Sequence, residues 1–398
     1  MKIAYILIQM PAPSEVFLAI EVRGLIQLGN VVNVISLRSP HPDYDKLVAG
    51  QNLRDVDLWF YPFFSLQSLV DMARSPFMLL HMVWMILRTC WRKPDVALRS
   101  LAILPKSFTI ARVIARENFD AVHFAWGHYP AVTAYLIERM LPNLPLTLAL
   151  GAYDRMARHP MTVIAANHAD HVLTQSDTNA DLIKNDFPRT TTPVTVIYRG
   201  VELQGMKQFR GEKKTLGLIV SAARLLPIKG HHFLIRAMPK ILQAVPHARL
   251  IIYGMGDYQP ELEKLIVELG LTDVVTLGGY LSHEKLFRAV AQANVFALVS
   301  DNDSLPNSVK EAMALGVPVV TTPTTGMSEL IQDGETGLIA PCGDVDAIAD
   351  RLIAVLSDPA LAERLRNAAM RSVEKFDVQQ TSEQRHLLYL RLMQGYQH

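Results

Sequence analysis

Four charged side chains carry the clearest chemical pattern in this 398-residue chain. Arg224 and Lys229 stand five apart in SAARLLPIKG, a loop between an apolar strand and a helix that begins near His231. Two cations at an amide-rich helix start make a pyrophosphate clamp, Arg through paired N–H groups and Lys as a point charge. The plainer reading is a pair of solvated loop cations. Asp303 and Glu311 stand eight apart in VSDNDSLPNSVKEAMALGVPVVTTP. Here an apolar strand ends in short polar residues, and a helix starts at Pro306, whose fixed φ and missing N–H suit a first helical position. Strand, polar loop and helix N-terminus together aim backbone N–H groups at an anion. Carboxylates at such a place read as acceptors for sugar or ribose hydroxyls while the amides hold phosphate. The alternative is a turn residue, Asp303, and a solvated helix residue, Glu311.

The elements that must position these groups are parallel strands alternating with helices. Residues 3–9 form an apolar strand, Ser14 caps a helix over 15–28, Gly29 closes it, and 31–37 is the next strand, a βαβ unit. Glu21 and Arg23 read as solvated residues of that helix. Further strands are expected at 121–124, 145–150, 171–174 and 194–198. A second series follows at 217–222, 249–253, 274–277, 295–299, 317–321 and 338–340, with closing helices at 344–356, 359–375 and 379–393. Two doubly wound α/β domains follow from this rhythm. His123 and His128 stand at the end of strand 121–124, where a His is either site-facing or structural. Gly254-Met255-Gly256 marks close backbone approach, and neither half has the GxGxxG and downstream acid of a nicotinamide site.

Bulk properties narrow the class. The length exceeds what one core serves, so two domains are expected. Half the residues are apolar and the net charge is +1, which fits a folded, cytoplasmic-type protein and argues against bulk nucleic-acid binding. Cys90 and Cys342 lie far apart without metal-type spacing, so they read as buried or idle thiols. MKIAYILIQMPAPSE reads as a first buried strand rather than a signal peptide, because its apolar stretch is short. No run reaches the roughly 20 apolar residues of a spanning helix. The apolar stretch FMLLHMVWMIL (77–87) precedes Arg88, Arg92, Lys93, Arg99, Lys106, Arg112 and Arg116. Residues 77–116 therefore form either a contact with an anionic membrane surface or a buried helix followed by a solvated basic one.

With LPN between Asp303 and Glu311, then EAMALGVPVV and TTGMSELIQDGETGLIAP, the chain resembles glycosyltransferase family 4. PSEVFLAIEVRGLIQLGNVVNVISLR looks like the opening of its bacterial exopolysaccharide, colanic-acid-type subgroup. The resemblance implies the GT-B arrangement, two Rossmann-like domains facing across a cleft. It implies transfer of a sugar, with retention, from a UDP- or GDP-sugar to a glycan or lipid-linked acceptor hydroxyl, without metal or cofactor. Asp303 would hold the donor sugar, Glu311 the ribose, and Arg224 and Lys229 the diphosphate. Ser304, Leu305, Pro306 and Asn307 would line the phosphate-binding helix start, and Gly254, Gly279, Tyr280 and Leu281 the nucleotide. His128 would stand near the reacting centre.

The implied domains are 1–203 on the acceptor side, 216–376 for the nucleotide-sugar, and a helix in 377–398 returning to the first, with 204–215 as linker. The protein would work in the cytoplasm, at the inner face of the cell membrane. Five positions depart from the family pattern: Asp303 replaces Glu, Ser304 and Ala223 replace Gly, Gly151 replaces His, and Arg199 replaces Asn or a small residue. Asp303, Gly151 and Arg199 leave open a degenerate protein that binds nucleotide-sugar without transfer, and the shared domains leave open a GT-B epimerase or phosphorylase.

Overall fold

The computed structural model describes residues 1–13, 15–186, 191–303 and 305–396, so the expected cap Ser14 and the site residue Ser304 lie outside the described residues. The chain divides into two compact units, Met1–Gly200 with the chain from Val378 onward, and Val201–Asp377.

The first unit holds strands β1 (Lys2–Leu7), β2 (Val31–Ser36), β3 (Asp57–Phe60), β4 (Ala121–Phe124), β5 (Leu146–Ala149), β6 (His171–Thr174) and β7 (Val194–Val196). Among the described residues they form one parallel sheet in the order β3-β2-β1-β4-β5-β6-β7. The strands are near-continuous apolar runs because helices cover both faces, as a parallel sheet requires. Along β1 the side chains alternate between two cores. Ala4 and Ile6 join a cluster with Met82, Phe108 and Val132, whereas Ile3, Tyr5 and Leu7 pack with Leu18, Val22 and Tyr389. Tyr389 belongs to the helix Val378–Gly395, whose Arg385 donates to Glu21 at 2.8 Å. Glu21, expected to be solvated, is instead mostly buried and also accepts from the Tyr5 hydroxyl. Arg23 likewise donates inward, to the Gln51 carbonyl at 2.8 Å.

Strand β3 and the helices Tyr44–Gly50 and Leu66–Ala73 were not marked by the sequence pattern. The helix Pro76–Cys90 is apolar all round, yet it buries only Met82, Ile86 and Cys90. Phe77 stays 87% and Leu80 67% exposed, with Trp84 and Leu87 about half exposed. Each such side chain left in water forgoes about 1.5–3 kcal/mol of burial. Among the described residues no single helix is long and apolar enough to cross a membrane, although Leu66–Ala73 and Pro76–Cys90 together, bent by 96°, match a span in length and composition.

The second unit holds β8 (Leu218–Ala222), β9 (Arg249–Tyr253), β10 (Val275–Gly279), β11 (Val295–Leu298), β12 (Val319–Thr321) and β13 (Leu338–Ile339). Among the described residues they pair in parallel in the order β10-β9-β8-β11-β12-β13. The stretch expected as linker is folded here: Leu203–Lys207 is a short helix, and Met206 and Phe209 are buried. Their apolar spacing is brief and hidden among lysines, which is why composition alone reads as a tether.

Candidate functional site

In each sheet the strand order reverses once, between β1 and β4 and between β8 and β11. Ligands of open α/β sheets bind at the C-terminal ends of strands at such a switch point. In the second unit the loops after β8 and β11 meet there. Asp301 N–H donates to the Ile228 carbonyl at 2.9 Å, and Lys229 Nζ reaches Asp303 Oδ2 at 2.5 Å. The two side chains are 74 positions apart in sequence and both mostly buried. Gly230 makes this approach possible. Its φ is +70°, and a Cβ there would overlap the Val299 carbonyl oxygen at 1.9 Å.

The neighbouring loops close the same edge. Gly254 has φ +144°, and a Cβ on it would fall 1.9 Å from the Ala223 carbonyl oxygen. Its N–H donates to the Gly279 carbonyl at 2.9 Å, and Leu225 N–H to Met255 at 2.9 Å. Gly254, Gly279, Tyr280 and Leu281 thus lie beside the Arg224 loop, with Tyr280 exposed. Arg224 is exposed and has no side-chain hydrogen bond or ion pair among the described residues. Pro306 is the N-cap (ψ 127°) of the helix Asn307–Ala314 rather than its first residue, one position later than its sequence suggests. The helix start still presents its free N–H groups to the loop after β11. Leu305 and Pro306 are buried beneath it.

Glu311 is not the solvated helix residue of the plainer reading. It is half-buried, and desolvation lifts its carboxyl to about 7 against the pull of adjacent Lys310. A carboxyl poised there can donate or accept a hydrogen bond to a hydroxyl near neutral pH. Around the pair several buried polar atoms have no partner among the described residues: Ser221 Oγ, Ser300 Oγ, Asn307 Oδ1 and Thr324 Oγ1. Burial holds the His231 ring down to about 4, so it is neutral. Buried polar groups are normally satisfied, and those at this strand-end crevice are available to a ligand, although unpartnered atoms occur in the first unit as well. Only Asn307 of these was marked in the sequence. The available signal was a serine ending an otherwise apolar strand, in LIVSA and again after Val299.

His128 lies in the first unit, in the loop after β4. Its Nδ1 contacts Asp154 Oδ1 at 2.8 Å. Asp154 is fully buried and also accepts from Gly127 N at 2.8 Å and Gly151 N at 2.9 Å. A carboxylate only accepts, so Nδ1 carries the proton and Nε2 is left as the acceptor. Asp154 is thereby occupied with orienting the loop, and His128 is the residue of the two with an atom to offer. His128 lines a cavity of about 410 Å³ with Arg38, Arg99, Tyr129, Tyr153 and Phe63. The switch point itself is filled in this unit. Arg199 stacks on Phe17 at 3.8 Å and lies over Trp126, leaving about 30 Å³. Among the described residues no three His, Cys, Asp or Glu side chains gather as a metal site would require.

Residues 205–372 match the family model described as Glycosyl transferases group 1. The chain is similar to the alpha-D-kanosaminyltransferase of Streptomyces kanamyceticus, 26% identical over 279 residues, which are 63% of this chain and 71% of that protein. It is also similar to the GDP-mannose-dependent alpha-(1-6)-phosphatidylinositol monomannoside mannosyltransferase of Mycolicibacterium smegmatis. Those two are 36% identical over 152 residues, 36% of this chain and 40% of that one. In structure the chain resembles Anabaena HepE in complex with UDP, with a TM-score of 0.72 and 18% identity over 98% of this chain and 100% of that one. The two parallel-sheet units have the GT-B fold. The matched stretch spans Arg224, Lys229, Asp303 and Glu311.

Proposed function

We propose that this glycosyltransferase moves a sugar from a nucleotide-sugar to an acceptor hydroxyl, with retention at the anomeric carbon, in the synthesis of exopolysaccharide or another cell-surface glycan. The observation that carries the reading is the Lys229–Asp303 pair at the β8/β11 switch point, beside the start of the helix Asn307–Ala314. Arg224, Lys229 and the helix-start amides would take the negative charge that develops on a leaving diphosphate. In this scheme side chains and amides meet that charge without a metal. Asp303 would turn to the hydroxyls of the donor sugar, and Glu311 to the ribose. Gly254, Gly279, Tyr280 and Leu281 would receive the base, mainly through backbone atoms.

Membrane contact is part of the proposal. The exposed apolar face of the helix Pro76–Cys90, continued by Phe64, Leu66 and Trp91, supports a peripheral position at the inner face of the cell membrane. The cationic run contributes less than its sequence suggests. Lys106 is fully buried, and Arg112 donates to Ser75 at 2.7 Å. A phosphatidyl-lipid acceptor in the name of the M. smegmatis relative agrees with such a position.

The test is calorimetric titration of the full chain with UDP, GDP and their sugars, followed by nucleotide release with and without a lipid-linked acceptor. Binding of one nucleoside diphosphate, abolished in Lys229→Ala, is the expected result. Binding unaffected by Lys229→Ala overturns the assignment of the site. Binding without acceptor-stimulated release favours a protein that only holds nucleotide-sugar.

A further inference from the structure

We infer that the cavity of the first unit receives a phosphate-bearing amphiphile, its anionic group held by Arg38 and Arg99 and its apolar chain leaving past Phe63. The inference rests on the transferase reading only in treating this ligand as the acceptor.

The volume, about 410 Å³, falls within the usual range of small-ligand pockets. Among the described residues no Asp or Glu lines it. Arg38 makes no side-chain hydrogen bond or salt bridge among the described residues, and the acid that senses its charge is Glu15. Among the same residues Arg99 hydrogen-bonds only the Tyr129 hydroxyl, at 3.5 Å, with Asp95 one turn away on its helix. Behind the wall, Lys106 Nζ donates to the Leu37 carbonyl at 2.8 Å and sits 4.2 Å from the Phe63 ring centre. Burial holds this ammonium down to about 8, so near neutral pH it still adds positive charge. Two guanidinium groups over a third, buried cation favour an anion, and their forks suit phosphate oxygens.

The rest of the wall argues against an inorganic anion. Ile8, Ala102, Ile103 and Phe63 are apolar and would stay wet around it. A neutral lipid would cover them but leave both guanidinium groups unmatched. Phe63 and Arg99 are each next in sequence to an exposed apolar residue, Phe64 at 65% and Leu98 at 70%. An alkyl chain leaving the cavity on that side would continue onto apolar surface. His128, held by Asp154 with Nε2 as its acceptor atom, can take a hydrogen bond from a hydroxyl of the same ligand.

The test titrates the full-length protein calorimetrically with octyl phosphate below its micelle concentration, inorganic phosphate, 1-octanol and a soluble sugar 1-phosphate. Octyl phosphate should bind at least tenfold more tightly than each of the other three. Arg38→Ala/Arg99→Ala should weaken it at least tenfold, and Phe63→Ser should weaken it while leaving phosphate unchanged. Both arginines are exposed, so their variants should keep the parent melting temperature. Equal binding of the sugar phosphate, or octyl phosphate binding unchanged in the double variant, overturns the inference. UDP titrated into the same samples separates the two readings. UDP binding with no octyl phosphate binding sinks this site alone, and the reverse leaves it standing while the donor assignment fails.

Discussion

The reversal between β1 and β4 and the reversal between β8 and β11 are one topological feature with different contents. In the first unit the crevice is occupied by the chain's own side chains. Glu21 is met by Tyr5 and Arg385, the His123 ring packs 4.7 Å from that of Tyr5, and Arg199 lies against Phe17 and Trp126. In the second, Lys229 and Asp303 close across the switch, and the hydroxyls of Ser221, Ser300 and Thr324 and the Asn307 amide oxygen lie buried without partners among the described residues. The same fold can therefore use its switch point as a structural joint or as a binding edge. What decides is how far side chains fill the crevice, since unpartnered polar atoms occur at both edges, Arg385 Nε among them in the first. In the first unit the space for a ligand is displaced sideways, to the cavity at His128.

The comparison breaks most visibly through Arg385. Its removal leaves Glu21 buried and short of a countercharge, a defect of about 3–5 kcal/mol. Arg385→Ala should lower unfolding stability by that order in urea denaturation while UDP affinity stays at the parent value. A loss below about 1 kcal/mol would show that the joint does not hold the first unit together. Lys229→Ala should do the opposite. Turnover should fall about 10²–10³-fold, the usual cost of one transition-state donor, with little change in melting temperature. A variant that melts early would make Lys229 a structural residue like Arg385.

Glu311 gives the finer contrast. Its folded-state carboxyl is raised to about 7, so its stabilising contribution is complete below the ordinary carboxylate range and is lost as pH rises through 7. Glu311→Gln removes that loss. Near pH 5 the two proteins should melt together, and at pH 8.5 the variant should gain about 2–4 °C. Donor affinity should fall in the same variant. Identical melting curves at both pH values would mean the carboxyl is not desolvated. The smallest effect belongs to the surface: Phe77→Ser/Trp84→Ser should reduce flotation with anionic liposomes and leave soluble nucleotide binding unchanged.

Much of the fold was legible in the sequence because parallel strands buried on both faces are apolar runs with sharp glycine and proline punctuation. Residues 121–124, 171–174 and 249–253 read directly as strands, and Gly29 ends the first helix. Strand β3 escaped because DLWF is short and half-exposed, and its apolar residues do not alternate. The carboxylates and cations of the candidate site were legible as local spacings, yet nothing local shows Lys229 meeting Asp303. Glu21 was misread because its partner Arg385 is 364 positions away. Lys106 looked like one more surface cation because its acceptor, the Leu37 carbonyl, is backbone and leaves no mark in composition. The cavity around Arg38 and Arg99 brings together loops and the helix Pro94–Ala102, which no linear motif connects.

Under the proposed assignment the salt link at the β8/β11 edge would also work as a filter. An incoming molecule gains Lys229 only by offering that ammonium more negative charge than one aspartate does. A diphosphate could, whereas an unphosphorylated nucleoside could not, so discrimination against such look-alikes would be set before any base or sugar is inspected.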